Sequence, residues 1–366
     1  MSTRLRTVCV TGALASLTLI AACSSSSSSP SGSPSGSAAA ASGNTITETG
    51  STLLFPLFGA WQTAYNTANP KIQIYSAGTG SGTGIADAAN GTVTIGGSDA
   101  YLPSAEMTQF PNLIDIPLTV ASVMVNYNVP GVKAPLKLNG TVLAKIYDGK
   151  ITNWKDAAIA ALNKGVSLPN LAITTLHRAD SSGSSFLFTS YLNDQDPADW
   201  ATGLVGTTVT WPSTPKTAAE TGSGGMVTGC GTIKGCIAYI GISYQSKTTA
   251  AGLGTASLLN KGGGFVQPTA AAVQAALATF SSSTPANGAQ PLIDTTAAGG
   301  YPIINYEYAI VQKKQPSAAE ASALKAFLTW TITTGATTKF LSAVNFEPLP
   351  SNVLSIAKTQ IASISG

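Results

Sequence analysis

Beyond the N-terminal Arg4 and Arg6, the chain contains one arginine, Arg178, and its only histidine is the neighbouring His177. Both open the string His177-Arg178-Ala179-Asp180-Ser181-Ser182-Gly183-Ser184-Ser185, which runs into Phe186-Leu187-Phe188-Thr189-Ser190-Tyr191-Leu192. The apolar run 171–176 reads as a strand and the segment from 186 as an amphipathic helix. A Ser/Gly turn between them leaves backbone N–H groups free at the helix start. Those donors, the helix dipole and the serine hydroxyls together suit an anion. Arg178 adds a planar fork matched to two oxygens of an oxyanion. The same residues also admit a plainer reading, an Arg178–Asp180 ion pair beside a serine N-cap.

Two further turns have this character. Gly78-Thr79-Gly80-Ser81-Gly82-Thr83-Gly84 lies between a strand and a helix, and its glycines allow close backbone approach to a ligand. Gly50-Ser51-Thr52-Leu53 precedes the first helix and supplies another hydroxyl and more N–H groups. Each turn alone is common; three in one sparsely charged chain are less easily accidental. Asp99, in Gly96-Gly97-Ser98-Asp99-Ala100, is at first sight wrong for an anion site. A carboxylate repels a fully ionised oxyanion, yet it accepts a short O–H···O bond from one that keeps a proton. Phosphate keeps such a proton near neutral pH and sulfate does not, so one acceptor among many donors discriminates between them. Asp99 could equally cap the turn that follows it.

The elements that would position these residues alternate. A strand at 46–49 is followed by a helix with apolar residues at Leu54, Phe58, Trp61 and Tyr65, ended by Pro70. A strand around 72–75, a helix at 85–89 and a strand at 92–96 come next, with Asp99 just past the last. Strands at 120–127 and 171–176, a helix at 142–147, a strand at 303–311 and a helix at 318–331 extend the pattern. Strand–helix alternation implies parallel βαβ units and an α/β fold. The Gly-, Ala-, Ser- and Thr-rich middle, up to about residue 299, yields little periodicity, and no repeat is visible.

The N-terminus reads as an export signal over 1–22: Arg4 and Arg6, then a short apolar run ending in Leu19-Ile20-Ala21-Ala22-Cys23. The run is roughly a dozen residues, against about 20 for a membrane span. Its end is a lipobox pattern in which Cys23 would carry the lipid; cleavage with Cys23 incidental is the alternative. Residues 23–44 then form a Ser/Pro/Gly/Ala tether without charge or large apolar side chains, too poor in burial to order itself. A lipid and a spacer would hold the protein at the outer face of the cytoplasmic membrane without spanning it.

The remaining ~320 residues exceed one usual core and predict two lobes. Charged residues are 10% of the chain, against about 25% in an average domain. The formal net charge is +3, of which Arg4 and Arg6 supply two, leaving +1 in the mature chain. Nothing here resembles a nucleic-acid footprint. With Cys9 in the signal and Cys23 lipidated, Cys230 and Cys236 remain, and an oxidising compartment favours a local disulfide worth about 2 kcal/mol. Two thiols without a nearby histidine make a weak zinc site.

With these residues in view, the chain resembles the phosphate-binding proteins of the Pst ABC transporter, most of all the actinobacterial branch that includes the mycobacterial phosphate-binding lipoprotein antigen. The likeness covers essentially the whole mature domain. It is carried by Thr47-Glu48-Thr49-Gly50-Ser51-Thr52, Ser98-Asp99-Ala100-Tyr101-Leu102, Lys137-Leu138-Asn139-Gly140-Thr141-Val142-Leu143-Ala144, residues 177–188 and Gly300-Tyr301-Pro302-Ile303-Ile304-Asn305-Tyr306-Glu307-Tyr308-Ala309. The resemblance implies a two-lobed type II periplasmic binding fold of the Venus-flytrap kind. Each lobe would hold a central mixed sheet, and two crossover strands would join lobe I (45–119 and 302–366) to lobe II (120–301). It implies that Thr52, Leu53, Ser81, Asp99, Arg178, Ser182, Gly183 and Ser184 bind inorganic phosphate, with Asp180 holding the Arg178 guanidinium. Leu53 stands where the family often has phenylalanine, and Ser184 where it often has threonine. The implied partners are phosphate, the permease subunits of an ABC importer and the membrane, for a monomer without cofactor, metal or catalytic activity.

Two rival functions fit the residues less well. A serine hydrolase lacks its G-x-S-x-G elbow, because Thr79 and Thr83 flank the Gly80-Ser81-Gly82 centre, and His177 beside Arg178 is a disfavoured base. Ser213-Thr214-Pro215-Lys216 fits S-x-x-K only as a string, and a single histidine makes a metal-rich phosphatase centre improbable. A surface adhesin would share the anchor and tether but would not need Arg178, Asp99 and three anion-type turns.

Overall fold

The computed structural model describes residues 45–366; the expected signal (1–22), Cys23 and the tether (23–44) lie outside the described residues. The chain begins β1 (Thr45–Gly50), α1 (Phe55–Ala68), β2 (Gln73–Gly78), α2 (Ser81–Ala89), β3 (Ile95–Ser98) and α3 (Ser104–Gln109). The 15-residue β4 (Leu113–Tyr127) leads to β5 (Lys137–Leu138), α4 (Gly140–Tyr147) and α5 (Ala157–Leu162). β6 (Thr174–Arg178), α6 (Gly183–Gln195), β7 (Thr217–Glu220), α7 (Gly222–Thr232) and β8 (Cys236–Gly241) repeat the strand–turn–helix motif. After α8 (Gln245–Ala250) come β9 (Gly254–Thr255), β10 (Ser257–Leu259), β11 (Phe265–Val266), α9 (Ala270–Phe280) and β12 (Leu292–Ile293). β13 (Ile303–Gln312), α10 (Ala318–Thr331), α11 (Thr338–Leu341) and α12 (Ser351–Ser363) complete it.

The main sheet is mixed and runs β2-β1-β3-β13-β4-β8-β6-β7, with β12 on β13 and β9 on β4; β11, β10 and β5 form a small second sheet. β1, β2 and β3 are parallel, as are β8, β6 and β7. Two antiparallel strands link these groups. β4 pairs with β13 through Ser122 and then with β8 from Val123 onward, so one strand serves both halves. The lobe boundary expected between 119 and 120 falls inside β4, close to that change of partner.

Amphipathic spacing explains α1: Leu57, Phe58, Trp61 and Tyr65 are its buried face, with proline in its first turn where a missing N–H costs nothing. Phe58 and Tyr65 meet Phe327 of α10 edge to face, with ring centroids at 5.6 and 5.0 Å. Cys230 near the end of α7 and Cys236 at the start of β8 form a disulfide.

Several boundaries move from their sequence positions for identifiable reasons. The strand expected at 171–176 begins at Thr174, because Leu171 O and the Ile173 N–H bond instead to Trp154 and Thr152 at 2.9 Å each. β4 begins at Leu113 rather than 120, since Asp115 and Pro117 interrupt its apolar run without ending it. Pro117 is tolerated because the pairing with β13 shifts register there: Glu307 opposes Thr119 while Tyr308 opposes Pro117. α2 starts at Ser81, ahead of the apolar residues that suggested 85–89, and β3 spans Ile95–Ser98 rather than 92–96.

Glu48 of β1 is 4% exposed and accepts a 2.5 Å hydrogen bond from Ser76 Oγ. Burial raises its carboxyl from 4.5 to about 8. Between those values the unfolded chain has lost a proton that the folded chain keeps, so stability falls as pH rises, by up to about 1.4 kcal/mol per unit. Glu48→Gln removes this titration. Chemical denaturation should show a stability gain for the variant that is clearly larger at pH 8 than at pH 5; an equal gain at both would contradict the assignment.

Candidate ligand-binding site

Each site turn follows the C-terminal end of a parallel strand and opens a helix, the crevice where open α/β sheets take ligands. β1 delivers Gly50–Leu54, β2 delivers Thr79 and Gly80, β3 delivers Asp99, and β6 delivers Ala179–Ser182. The N–H groups of Thr52, Leu53, Ser81, Gly183 and Ser184 have no protein acceptor among the described residues. These are donors at the mouths of α1, α2 and α6. Ser182 caps α6, its Oγ accepting from the Ser185 N–H at 3.3 Å.

Arg178 is 5% exposed. Its Nε donates to Asp180 Oδ1 at 2.6 Å, and its Nη2 donates to Asp180 Oδ2. Asp180 also accepts from the Gly222 N–H at 3.0 Å. Burial pushes the Asp180 carboxyl up, but the hydrogen bonds and charge of Arg178, with Gly222, leave it below the ordinary carboxylate range. The ion pair named in the plainer reading therefore exists, and it orients the guanidinium. The Arg178 N–H donates to the Tyr239 hydroxyl at 2.9 Å, which shares a 2.7 Å bond with Ser185 Oγ.

Asp99 is buried and accepts from the Ser51 hydroxyl on Oδ1 and from Ser184 Oγ on Oδ2 at 2.8 Å. Its own N–H donates to Ser81 Oγ at 3.1 Å. Burial pushes its carboxyl up, while Ser51, Ser184 and the charge of Arg178 oppose that rise. Residues from distant parts of the chain thus meet directly: Ser184 with Asp99, and Thr52 with Ser223 through a 2.9 Å hydroxyl pair. The Gly82 N–H reaches Ser181 O at 3.1 Å, and Ser243 Oγ donates to Leu53 O at 2.7 Å. The approach needs glycine at two points. A β-carbon on Gly183 would lie 2.5 Å from Ser81 Oγ and 2.6 Å from Asp99 Cβ. Gly80, at φ +101°, would drive one to 2.5 Å from Ser181 O.

The candidate residues read from the sequence therefore converge, apart from Cys23, which lies outside the described residues. Leu53 is fully buried, with its side chain against Gly241, so only its backbone faces the task. Sequence reasoning missed Ser51 as a partner of Asp99, and it missed Gly222 and Ser223. The signal for those two was present: Glu220-Thr221-Gly222-Ser223-Gly224-Gly225 is another strand–Gly/Ser turn–helix string. Asn305 and Glu307, behind Asp99, carried no such signal. His177 points away from Arg178 along the strand and stacks on Trp211 at 5.0 Å between centroids, and burial lowers its basicity. A cavity of about 450 Å³ lies beside this cluster rather than in it, lined by Tyr101, Glu106, Phe186 and Val205 among others. No group of three or more metal-ligating side chains occurs among the described residues.

A model of the PBP superfamily domain matches residues 35–334. The phosphate-binding protein PstS of Xylella fastidiosa (strain 9a5c) is 31% identical over 311 residues, covering 84% of this chain and 82% of that protein. The chain belongs to the PstS family. A PstS-family relative in Mycobacterium leprae (strain TN), phosphate-binding protein PstS 3, is 29% identical over 333 residues, covering 88% of this chain and 87% of its own length. Among solved structures, a high-affinity periplasmic phosphate-binding protein (PfluDING) bound with phosphate at pH 8.5 superposes with a TM-score of 0.66 at 25% identity. It covers 86% of this chain and 93% of its own.

Proposed function

We propose that this chain is the extracytoplasmic solute-binding component of an ABC-type phosphate importer and encloses inorganic phosphate between two lobes. The observation that carries the reading is the convergence of the lone buried Arg178, Asp99 and the unpaired N–H groups of three helix-start turns, in a member of the PstS family. In this reading the N–H groups of Leu53, Gly183 and Ser184 and the hydroxyls of Thr52, Ser81 and Ser182 donate to the anion, while the Ser184 hydroxyl holds Asp99. Arg178 supplies the countercharge and Asp99 accepts the ligand's remaining proton. The lobes are 45–119 with 302–366, and 120–301, with β4 and β13 as the joint. Cys23 would tether the monomer to the membrane for docking on its permease; no helix among the described residues is long and apolar enough to cross a membrane.

Nothing in this role requires bond cleavage. Equilibrium dialysis with radiolabelled phosphate separates the alternatives: a binder retains the label unchanged, a hydrolase turns over a phosphate ester, and an adhesin retains nothing. Because donors from both lobes surround one anion, closure should depend on ligand. Small-angle X-ray scattering of the purified protein should therefore show a smaller radius of gyration with phosphate than without. Identical curves would remove the flytrap motion.

A further inference from the structure

Behind Asp99, on the crossover strand β13, a second acid is buried where the ligand cannot reach it. Glu307 is 0% exposed, at the register shift between β13 and β4. Its Oε1 accepts from Asn305 Nδ2 at 2.8 Å, and the same amide reaches Asp99 O at 3.3 Å. Its Oε2 is buried and has no donor. Asn305 thus bridges Glu307 and the Asp99 backbone, which sets the two buried acids side by side. Two ionised carboxylates in contact inside a protein repel strongly, so such a pair holds a proton between them. Asp99 has Ser51, Ser184 and the charge of Arg178 to favour its ionised form, whereas the Asn305 amide is the one donor to the Glu307 carboxyl among the described residues.

We propose that Glu307 is the positioning residue of the site: it keeps the shared proton on Oε2 and donates it to Asp99, which stays the ionised acceptor facing the ligand. The inference rests on the phosphate reading for its consequence, although not for the proton itself. With Arg178 positive and Asp180 and Asp99 negative, the site's own charges already sum to one negative charge. An ionised Glu307 would double that charge and repel a phosphate anion. Burial, then the charge of Asp99, pushes the Glu307 carboxyl well above the ordinary range. The other groups nearby do not compete for this proton. Arg178 faces Asp99 from β6 and is held by Asp180; Glu48 of β1 is engaged by Ser76, and Asp115 of β4 by the Leu102 N–H. Glu307→Gln should preserve the arrangement, since its carbonyl can take the Asn305 bond while its NH₂ replaces the O–H toward Asp99.

Isothermal titration with inorganic phosphate across pH 6–10 tests this on wild type and two variants. E307Q should bind within about threefold of wild type near neutrality, and any change of the ratio in its favour should come only well above pH 7, where the wild-type acid gives up its proton. E307L, which offers no donor, should bind at least about tenfold more weakly. Taking the ratio to E307Q cancels the ligand's own ionisation. Carboxyl-labelled glutamate NMR of the E48Q protein should show one glutamate still protonated at pH 7, a signal that does not depend on ligand or on the Glu307 variants folding. All glutamates ionised at pH 7, or E307Q binding at least about tenfold more tightly than wild type already at pH 7, would overturn the proposal. Wild type that bound no phosphate would instead sink the phosphate reading, leaving the NMR result to decide the proton.

Discussion

Arg178→Ala should weaken phosphate binding by about 100-fold or more in isothermal titration, because truncating one partner of a buried charge-assisted contact costs about 2–5 kcal/mol. No second cation can substitute, since Arg178 is the only arginine after residue 6 and no lysine shares its hydrogen bonds with Asp180. The variant leaves Asp180 with only the Gly222 N–H. That free carboxylate adds repulsion to the lost attraction. Arg178→Lys keeps the charge but loses the fork that engages Asp180 through Nε and Nη2, so it should fall between alanine and wild type. Affinity within threefold of wild type in Arg178→Ala would take the arginine out of the site.

Asp99→Asn should change selectivity more than affinity. The substituted amide can still accept from Ser51 or Ser184 through its carbonyl, but it presents an NH₂ where wild type presents a bare oxygen. Phosphate then loses the acceptor for its proton and should bind about tenfold more weakly. Sulfate loses the carboxylate that repels it and should become a measurable competitor, so the phosphate-to-sulfate preference should collapse by two or more orders of magnitude on the scale of buried charge contacts. An unchanged sulfate response would contradict the proton-acceptor role. The variant also removes the charge that Glu307 faces, which couples the two acids and makes their effects non-additive.

The anion-type turns were legible because their chemistry is local: a strand, a Gly/Ser string and a helix start are contiguous in sequence. Arg178 and Asp180 are two residues apart, and their pairing follows from that spacing. Asp99 stood out by its mismatch with the donors around it. The fold class followed from strand–helix alternation, and the crossover strands from the resemblance rather than from periodicity. Their lengths did not follow. β4 hides its first half behind Asp115 and Pro117, and the shift that accommodates Pro117 depends on Tyr308, nearly 200 positions away. Ser51 was visible only as part of a turn; its bond to Asp99 spans 48 positions. Glu307 reads as one polar residue in the strand Ile303–Gln312. Its face is set by a register that only pairing with β3 and β4 determines. The Gly- and Ala-rich middle failed for another reason. Its strands are mostly two or three residues long, too short for alternation to register.

The central claim is that a cage of neutral donors, one guanidinium and one carboxylate recognises an oxyanion by its residual proton. Isothermal titration of the purified protein at pH 7 with phosphate and then with sulfate addresses it most directly. Saturable binding of phosphate at a single site, with no heat from sulfate at the same concentrations, is the predicted result. Comparable binding of both anions, or of neither, would contradict it.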